Sequence, residues 1–224
     1  MKDRAPETLT VEDLKAGHEA YVKNEPLDAM YEAATSLLEM SGEEPSKMAN
    51  GLGVLLLTWN SGLYRYGPLD FKSLKECVER NLEKIQGFKK RNITTFAETD
   101  KQSIQELFDN FLEATRKLEW KKSPEKLSPV SVAKALHMLA PGFFPLWDDE
   151  IARKYGCYWY AQSREKGASK YWKFMQRIAK FVDDFQKQSQ EIIRISERPI
   201  LKLIDEYNYC RFTKAKQRWL IVDE

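Results

Sequence analysis

Two adjacent aspartates stand where an apolar run meets the start of a helix. The segment GFFPLWDDEIARKYG covers residues 142–156, and Asp148 and Asp149 follow Trp147 directly. A carboxylate at the edge of a water-poor pocket can stabilise developing positive charge or deprotonate an attacking water. A helix N-terminus favours its ionised form, whereas apolar walls and a second carboxylate oppose ionisation. Asp148 is therefore the first catalytic candidate. The simpler alternative is that Asp148 only caps the helix.

A second group of residues that could carry chemistry lies in the segment LLLTWNSGLYRYG, residues 55–67. Trp59 offers an aromatic face, and Asn60 and Tyr64 share one helix face because they are four residues apart. Aromatic faces stack on unpaired nucleobases, and amide groups read their edges. We therefore predict a base pocket, with the candidate members Trp59, Asn60, Tyr64, Trp147 and His137. The alternatives are a core tryptophan and a core histidine with a hydrogen-bonded ring.

Basic and aromatic residues are interleaved between positions 150 and 180. This segment holds eight basic and two acidic side chains, whereas residues 1–46 hold four basic and eleven acidic ones. Cations neutralise phosphates and rings stack on exposed bases, so this composition favours a nucleic-acid surface. A solvated amphipathic helix with its aromatic residues in the core is the alternative. The candidate DNA contacts in this segment are Arg153, Lys154, Arg164, Lys166, Lys170 and Lys173.

The cysteine and histidine content excludes several kinds of site. Cys77, Cys157 and Cys210 are far apart, no CxxC pair occurs, and the chain has only two histidines. A disulfide framework, a four-cysteine site and a zinc site are therefore not expected, and we expect no cofactor. The 224 residues are 42% hydrophobic and 31% charged, and the N-terminus has no signal-peptide pattern. The longest apolar stretch, 51–59, is too short to span a membrane. We expect a cytoplasmic protein that does not contact a membrane.

Helical patterns must position these residues. Capping and periodicity predict helices over 11–23, over 27–40, from about Pro45 to Tyr64, from Asp70 to a stop at Gly87, and over 101–120. Further helices are predicted over 131–139, from Asp148 to a C-cap at Gly156, over 169–191, and after Pro199. No convincing strand pattern occurs. The prediction is an all-α fold of about nine helices, forming a single globular unit over 1–224. Two lobes, 46–140 and 1–45 with 141–224, would flank a cleft.

The order of turns and helices between residues 127 and 156 resembles the core of the helix-hairpin-helix DNA glycosylases, the superfamily of endonuclease III. Their hairpin has the form L-P-G-V-G-x-x-T-A, and the following loop ends in V-D-T-H-V-x-R. Here PLWDDEIARKYG places Asp148 on the family aspartate. LSPVS (127–131) lies on the hairpin, with Pro129 and Ser131 in place of its glycines. The resemblance implies a cleft between two helical lobes, a base flipped into it, and an aspartate facing the sugar.

Departures from the hairpin motif bear on DNA contact and on the reaction type. The family glycines let backbone amides approach a phosphate; Pro129 has no amide, whereas Ser131 keeps one and stays a candidate DNA contact. The nucleophilic lysine of bifunctional members corresponds to Ala133 here. Lys134 lies one residue further, about 100° around a helix, and is expected to point elsewhere. Lys134 is the second catalytic candidate, in case the local register of the helix is shifted relative to the family motif. Its alternative role is that of a surface lysine or a phosphate contact.

Together these features predict a monofunctional DNA glycosylase that removes a damaged or modified base by hydrolysing its N-glycosidic bond. Base-excision repair and defence against modified foreign DNA are both open as its setting, and DNA is the expected partner. Two alternatives stay open. One is a non-catalytic helical nucleic-acid-binding protein, which the lost hairpin glycines favour. The other is a helical protein-interaction module that uses the acidic N-terminal region and the basic C-terminal half.

Overall fold

The computed structural model describes residues 5–25, 28–59, 68–115, 128–159, 164–188 and 197–214, without the side chains of 164–166 and 186–188. These ranges contain ten α-helices and no strand, which confirms the predicted all-α class. The helices are α1 (Val11–Asn24), α2 (Asp28–Glu39), α3 (Pro45–Thr58), α4 (Phe71–Arg80), α5 (Leu82–Lys89), α6 (Lys101–Ala114), α7 (Pro129–Leu139), α8 (Asp149–Lys154), α9 (Arg164–Gln188) and α10 (Ile200–Asn208). Short 3-10 helices cover Ile93–Thr95 and Glu98–Asp100, and a π-helix over Tyr209–Lys214 continues α10.

Capping residues start several helices where the sequence predicts them. Thr10 and Asp13 form a reciprocal capping box at the start of α1, with the Thr10 amide donating to Asp13 at 2.9 Å. Asp70 caps α4 by accepting hydrogen bonds from the amides of Lys72 and Ser73. Pro199 directly precedes α10. Each signal acts within one helical turn, so the helix starts follow from local sequence.

The predicted helix from Asp70 to Gly87 is wrong in two respects. It breaks at Asn81, which separates α4 from α5, and α5 continues through Gly87 to Lys89. The Asn81 side chain donates to the Cys77 carbonyl at 2.8 Å and accepts from the Asn110 side chain of α6 at 3.0 Å. An asparagine that hydrogen-bonds its own backbone competes with the helical ladder, and the contact with α6 fixes this competing geometry.

Helix α7 begins two residues before its predicted start. Ser128 is its N-cap and Pro129 occupies the first turn, where the missing proline amide removes no helical hydrogen bond. The residues aligned with the glycosylase hairpin, 129–131, are therefore helical. The Ser131 amide donates to the Ser128 hydroxyl at 3.3 Å, and the two hydroxyls lie 2.7 Å apart.

Helices from both ends of the chain pack together. Helix α1 packs on α10 and on the π-helix, and α2 packs on α3 and α7. Helices α3, α4, α6, α7 and α9 form a second set of neighbours through α6. Gly17 permits the close approach of α1 and α10, since a Cβ atom there would lie 2.6 Å from the Tyr207 Cα. Buried residues from Leu9 to Phe212 form one connected core. The division into two lobes stays a prediction.

In the part of the chain that the structure describes, no helix is both long enough and apolar enough to cross a bilayer.

Candidate active site

Asp148 uses its two carboxylate oxygens for two different contacts. Oδ1 accepts the Ile151 amide at 2.7 Å, which makes Asp148 the N-cap of α8, the role that stood as the alternative to catalysis. Oδ2 accepts the Thr213 hydroxyl at 2.6 Å and so ties the start of α8 to the π-helix. Burial raises the pKa of Asp148, whereas the two hydrogen bonds and the charge of Lys134 lower it. Asp149 is exposed. The half-buried carboxylate of the pair is therefore also the helix cap.

Lys134 lies near Asp148, contrary to the expectation that it points elsewhere. Its ammonium donates to the Trp59 carbonyl at 2.7 Å and lies 4.9 Å from the centroid of the Trp59 indole. Burial lowers the pKa of Lys134 to about 8, and the charges of Asp148 and Asp205 oppose this shift. Ala133, at the position of the family lysine, is fully buried. A basic amine with a lowered pKa therefore shares the electrostatic environment of the candidate carboxylate.

Trp59 has a second ammonium beside it, that of Lys202 on α10. Lys202 is 0% exposed, and its Nζ lies 5.0 Å from the centroids of Trp59 and Tyr31 and 4.0 Å from that of Tyr21. The two lysines thus approach one indole from α7 and α10. An ammonium buried among three rings gains from their negative faces, and this gain offsets part of its lost hydration.

Two carboxylates of α10 balance the charge of Lys202. Its Nζ lies 3.4 Å from Asp205 Oδ2 and 3.4 Å from Glu206 Oε1. Glu206, which is 0% exposed, also contacts Arg198 and pairs with His18 Nδ1 at 2.7 Å. Glu206 is therefore committed to a wider ion-pair network, whereas Asp205 faces the lysines.

We call Trp59, Lys134, Asp148, Lys202 and Asp205 the polar cluster. Its members come from the end of α3, from α7, from the cap of α8 and from α10, and the rings of Tyr21 on α1 and Tyr31 on α2 border it. Burying charged groups costs free energy unless they are paired, so a cluster whose members come from four helices is unusual as a mere packing device. Perturbed charged groups that converge in this way mark a candidate functional site.

His137 lies in the core and contacts Tyr31, which borders the polar cluster; its ring is neutral at pH 7. It is 0% exposed, with Nδ1 2.8 Å from the Phe144 carbonyl and Nε2 3.0 Å from the Tyr31 hydroxyl. Burial lowers the pKa of His137 to about 3. A carbonyl only accepts, so Nδ1 carries the hydrogen of the neutral ring and Nε2 accepts from Tyr31. This is the hydrogen-bonded core histidine that stood as the alternative, and it orients Tyr31.

Trp147 packs into the core beside Asp148. It is 2% exposed and stacks on Tyr171 at a centroid distance of 5.4 Å, near Phe108 and Phe174. Its indole therefore packs among aromatic residues of the core, and the base-pocket role predicted for it stays a prediction. Of the other base-pocket candidates, Trp59 is in the polar cluster, whereas Asn60 and Tyr64 lie outside the described residues.

The candidate DNA contacts divide between buried and accessible positions. Ser131 is 0% exposed and is bound to Ser128, an arrangement that does not favour a phosphate contact. The Arg153 guanidinium lies over the Tyr158 ring at 3.4 Å, and the Lys154 ammonium lies 5.7 Å from the Phe212 centroid. The side chains of Arg164 and Lys166 lie outside the described residues.

Helix α9 carries a row of cations that we call the basic stripe, made of Lys170, Lys173, Arg177 and Lys180. Their spacing of three to four residues puts them on one helix face about 15 Å long. Lys173, Arg177 and Lys180 are exposed, and Lys170 is half-buried. Sequence reasoning identified the two lysines nearest the N-terminus of the stripe and missed Arg177 and Lys180.

The basic stripe lies beside α8. The charges of Lys170, Lys173 and Arg177 act on the thiol of Cys157, whose amide donates to the Ala152 carbonyl of α8 at 2.8 Å. Helix α8 has six residues and is therefore about 9 Å long, with Asp148 at its other end. The basic stripe and Asp148 thus lie near opposite ends of α8.

Sequence reasoning missed Lys202, Asp205 and Tyr21. The signal in the sequence is the spacing of Lys202, Asp205 and Glu206, which are three and four residues apart and so share a helix face. Such a triad on an exposed face is ordinary. The packing of α1 on α10, together with rings from α2 and the end of α3, buries it.

None of the described residues form a group of three or more histidine, cysteine, aspartate or glutamate side chains able to hold a metal ion. Comparison with known proteins finds no family model, no curated protein and no solved structure that matches this chain.

Proposed function

We propose that this protein is a DNA N-glycosylase that releases a damaged or modified base by hydrolysis, with Asp148 as its principal carboxylate. The observation that carries the proposal is a half-buried carboxylate at a helix N-terminus, within a cluster of charged groups drawn from separate helices. Base-excision repair and defence against modified foreign DNA both remain settings for this activity.

The proposed chemistry matches the environment of Asp148. Breaking an N-glycosidic bond builds positive charge on the sugar, and a nearby carboxylate stabilises that charge or takes a proton from the attacking water. This stabilisation is stronger where water is excluded. Burial raises the pKa of Asp148, and the preceding residue, Trp147, packs into the core against Tyr171. Hydrogen bonds from Ile151 and Thr213 fix both oxygens, so the charge is held in place before substrate binds.

The basic stripe supports DNA as the substrate. A row of cations about 15 Å long follows several phosphates of one strand and binds them without sequence preference. The position of the stripe beside α8 would let the backbone lie on α9 while an extruded nucleotide reaches the polar cluster. Extrusion is required because the sugar carbon that reacts is inaccessible inside a stacked duplex.

The test is base release from a panel of duplexes that contain uracil, hypoxanthine, 8-oxoguanine, 3-methyladenine or 7-methylguanine, followed by alkali to cut at abasic sites. Wild type is expected to release at least one base, and Asp148→Asn to slow that release at least about 100-fold. Asparagine caps helices as well as aspartate does, so the variant keeps the start of α8. Asp70→Asn, which alters the cap of α4 outside the polar cluster, is the matched control and should retain activity. Full activity of Asp148→Asn would refute the proposal.

The position of Lys134 sets a second arm of the experiment. Monofunctional chemistry leaves an intact strand until alkali is added, and borohydride then traps no protein on DNA. An amine with a lowered pKa is a potential imine-forming nucleophile. Trapping by wild type that disappears in Lys134→Met would assign Lys134 as the nucleophile and overturn the monofunctional part of the proposal.

A non-catalytic nucleic-acid-binding protein is the second candidate, and the basic stripe together with the helical residues 129–131 favours it. Binding of an undamaged duplex should weaken with salt in either case. Lys173→Gln and Lys180→Gln should each lower the slope of log affinity against log salt by about 1 if each lysine contacts a phosphate. Salt-dependent binding without base release from any member of the panel would favour this second candidate over the enzyme.

A further inference from the structure

Asp205 is a second carboxylate of the polar cluster, and its environment differs from that of Asp148. It is 8% exposed, and Oδ2 lies 3.4 Å from the Lys202 ammonium. Its other oxygen accepts no hydrogen bond from the described residues. Asp148, in contrast, accepts hydrogen bonds on both oxygens. In glycoside cleavage, the base is a carboxylate that water or hydrogen bonds keep ionised, and the acid is a carboxyl group whose surroundings satisfy its charge poorly. Asp148 fits the first description, and Asp205 fits the second.

The hydroxyl of Tyr21 is a second, independent sign of a ligand. Tyr21 is 1% exposed, and its hydroxyl has no hydrogen-bond partner among the described residues. Its ring lies 4.0 Å from the Lys202 ammonium, and Asp205 is the charge that acts on it most strongly. A buried hydroxyl without a partner destabilises the free protein. A ligand that bound beside Asp205 would supply the missing partner.

We propose that Asp205 donates a proton to the leaving base and that the Tyr21 hydroxyl binds the same base. This inference rests on the proposed glycosylase function and assigns it a second residue. The bond between C1′ and the base nitrogen breaks, and its electron pair goes to the base, which takes the proton of the Asp205 carboxyl. Water adds to C1′ and gives its proton to Asp148. Exchange with solvent then restores both carboxyl groups, and the balanced result is hydrolysis.

The electrostatics of α10 agree with a protonated Asp205. Burial, together with the charges of Asp148 and Glu206, raises the pKa of Asp205 to about 6, while the charges of Lys202 and Lys134 oppose the shift. The other titratable groups that face this part of the chain are Tyr21, Tyr31, Tyr209, Arg198 and Asp28. Asp205 therefore carries a proton in a substantial fraction of molecules at slightly acid pH, when an ordinary aspartate has lost it.

The charge of the leaving base decides whether its release needs a proton donor. Comparing neutral with cationic bases therefore distinguishes a proton donor from a structural residue. Hypoxanthine and uracil leave as anions unless they are protonated, whereas 3-methyladenine and 7-methylguanine already carry positive charge and leave as neutral molecules. Asp205→Asn should slow release of a neutral base about 100-fold and release of a cationic base less than about 3-fold. Asp148→Asn should slow both classes. Equal slowing of both classes by Asp205→Asn would overturn the inference, as would release of cationic bases alone by wild type.

A pH profile covers the case in which wild type releases only neutral bases. The wild-type rate should fall as the pH rises through the pKa of Asp205, and Asp205→Asn should lack this fall. An unchanged profile in the variant would overturn the inference.

If Asp205→Asn does not fold, Asp205→Glu is the second variant, and it should release the neutral bases because it keeps a carboxyl group. Titration of the wild-type Asp205 carboxyl by 13C NMR should then show a midpoint well above pH 4. A midpoint below pH 4 would overturn the inference. An active wild type that needs Asp148 but not Asp205 refutes this inference alone. A wild type that releases no base refutes the proposed function, and this inference with it.

Discussion

Replacing Asp205 by asparagine should change how the stability of the protein depends on pH. The pKa of Asp205 is raised by burial to about 6, from an ordinary value of 3.8. A carboxyl with a raised folded-state pKa binds its proton more tightly in the folded than in the unfolded chain. The folded state therefore loses stability as the pH rises from the unfolded value toward about 6, and the loss is complete above that pH. Asparagine cannot ionise, so the variant lacks this loss.

The size of the effect follows from the two pKa values. Each pKa unit corresponds to ~1.4 kcal/mol, so the difference between 3.8 and about 6 corresponds to about 3 kcal/mol. Asp205 is 8% exposed, so solvent screens this energy little. Asparagine also removes the negative partner of Lys202 at 3.4 Å, but Glu206 Oε1 remains at 3.4 Å from the same ammonium. The attraction between Lys202 and the ionised Asp205 already lowers the pKa of Asp205, so the value of about 6 includes it.

The measurement is urea denaturation of wild type and Asp205→Asn at constant ionic strength between pH 4 and pH 8. The free energy of unfolding of the variant minus that of wild type should rise by up to about 3 kcal/mol between pH 4 and pH 7 and then stay constant. Asp70→Asn is a control that should show no comparable rise. Hydrogen bonds from Ser73 lower the pKa of Asp70, so its contribution to stability is lost mainly as the pH falls below its ordinary pKa of 3.8 and changes little between pH 4 and pH 8.

A constant difference between wild type and Asp205→Asn from pH 4 to pH 7 would refute the reasoning. It would mean that the folded protein ionises Asp205 as easily as the unfolded chain does. The proton-donor role of Asp205 would then lose its electrostatic support.

Four further substitutions test the packing of the protein. Tyr21→Phe removes a buried hydroxyl without a partner, so the free energy of unfolding in urea should rise by about 1 kcal/mol; a fall would show that the hydroxyl has a partner. Gly17→Ala should lower stability by about 1–3 kcal/mol, because its Cβ would lie 2.6 Å from the Tyr207 backbone. Gly87→Ala is the control, since no atom lies within 4 Å of the added Cβ, and it should raise stability by up to about 1 kcal/mol. Equal effects of Gly17→Ala and Gly87→Ala would contradict the close packing of α1 on α10. His137→Phe removes the two ring hydrogen bonds, so it should lower the melting temperature at pH 7; an unchanged melting temperature would count against those bonds. The variant should also lose less stability than wild type between pH 6.5 and pH 4, because the folded pKa of His137, about 3, lies below the unfolded value of 6.5.

Predictions from sequence held where a structural feature depends on a few neighbouring residues. The cap at Thr10, the helix start at Asp148 and the start of α10 after Pro199 each involve contacts within about one helical turn. The positive φ of Gly156 at the end of α8 is equally local. The all-α class follows from the same local signals summed along the chain.

Predictions failed where a distant residue decided the outcome. The break at Asn81 depends on Asn110 of α6, which lies 29 positions away. The orientation of Lys134 depends on the carbonyl of Trp59, 75 positions away. A helical wheel gives the direction of a side chain relative to its own helix and contains no information on these partners.

For the candidate site, the sequence by itself determined one residue and its local role, the aspartate at position 148 that caps a helix next to apolar residues. The tertiary structure decided the rest, namely that Lys134, Lys202 and Asp205 accompany it and that His137 stands behind it in the core. The physical reason is that a charge acquires an unusual pKa only when other elements remove its water. Helix α1 has to pack on α10 before the triad of α10 is buried, and no segment of sequence encodes that packing alone.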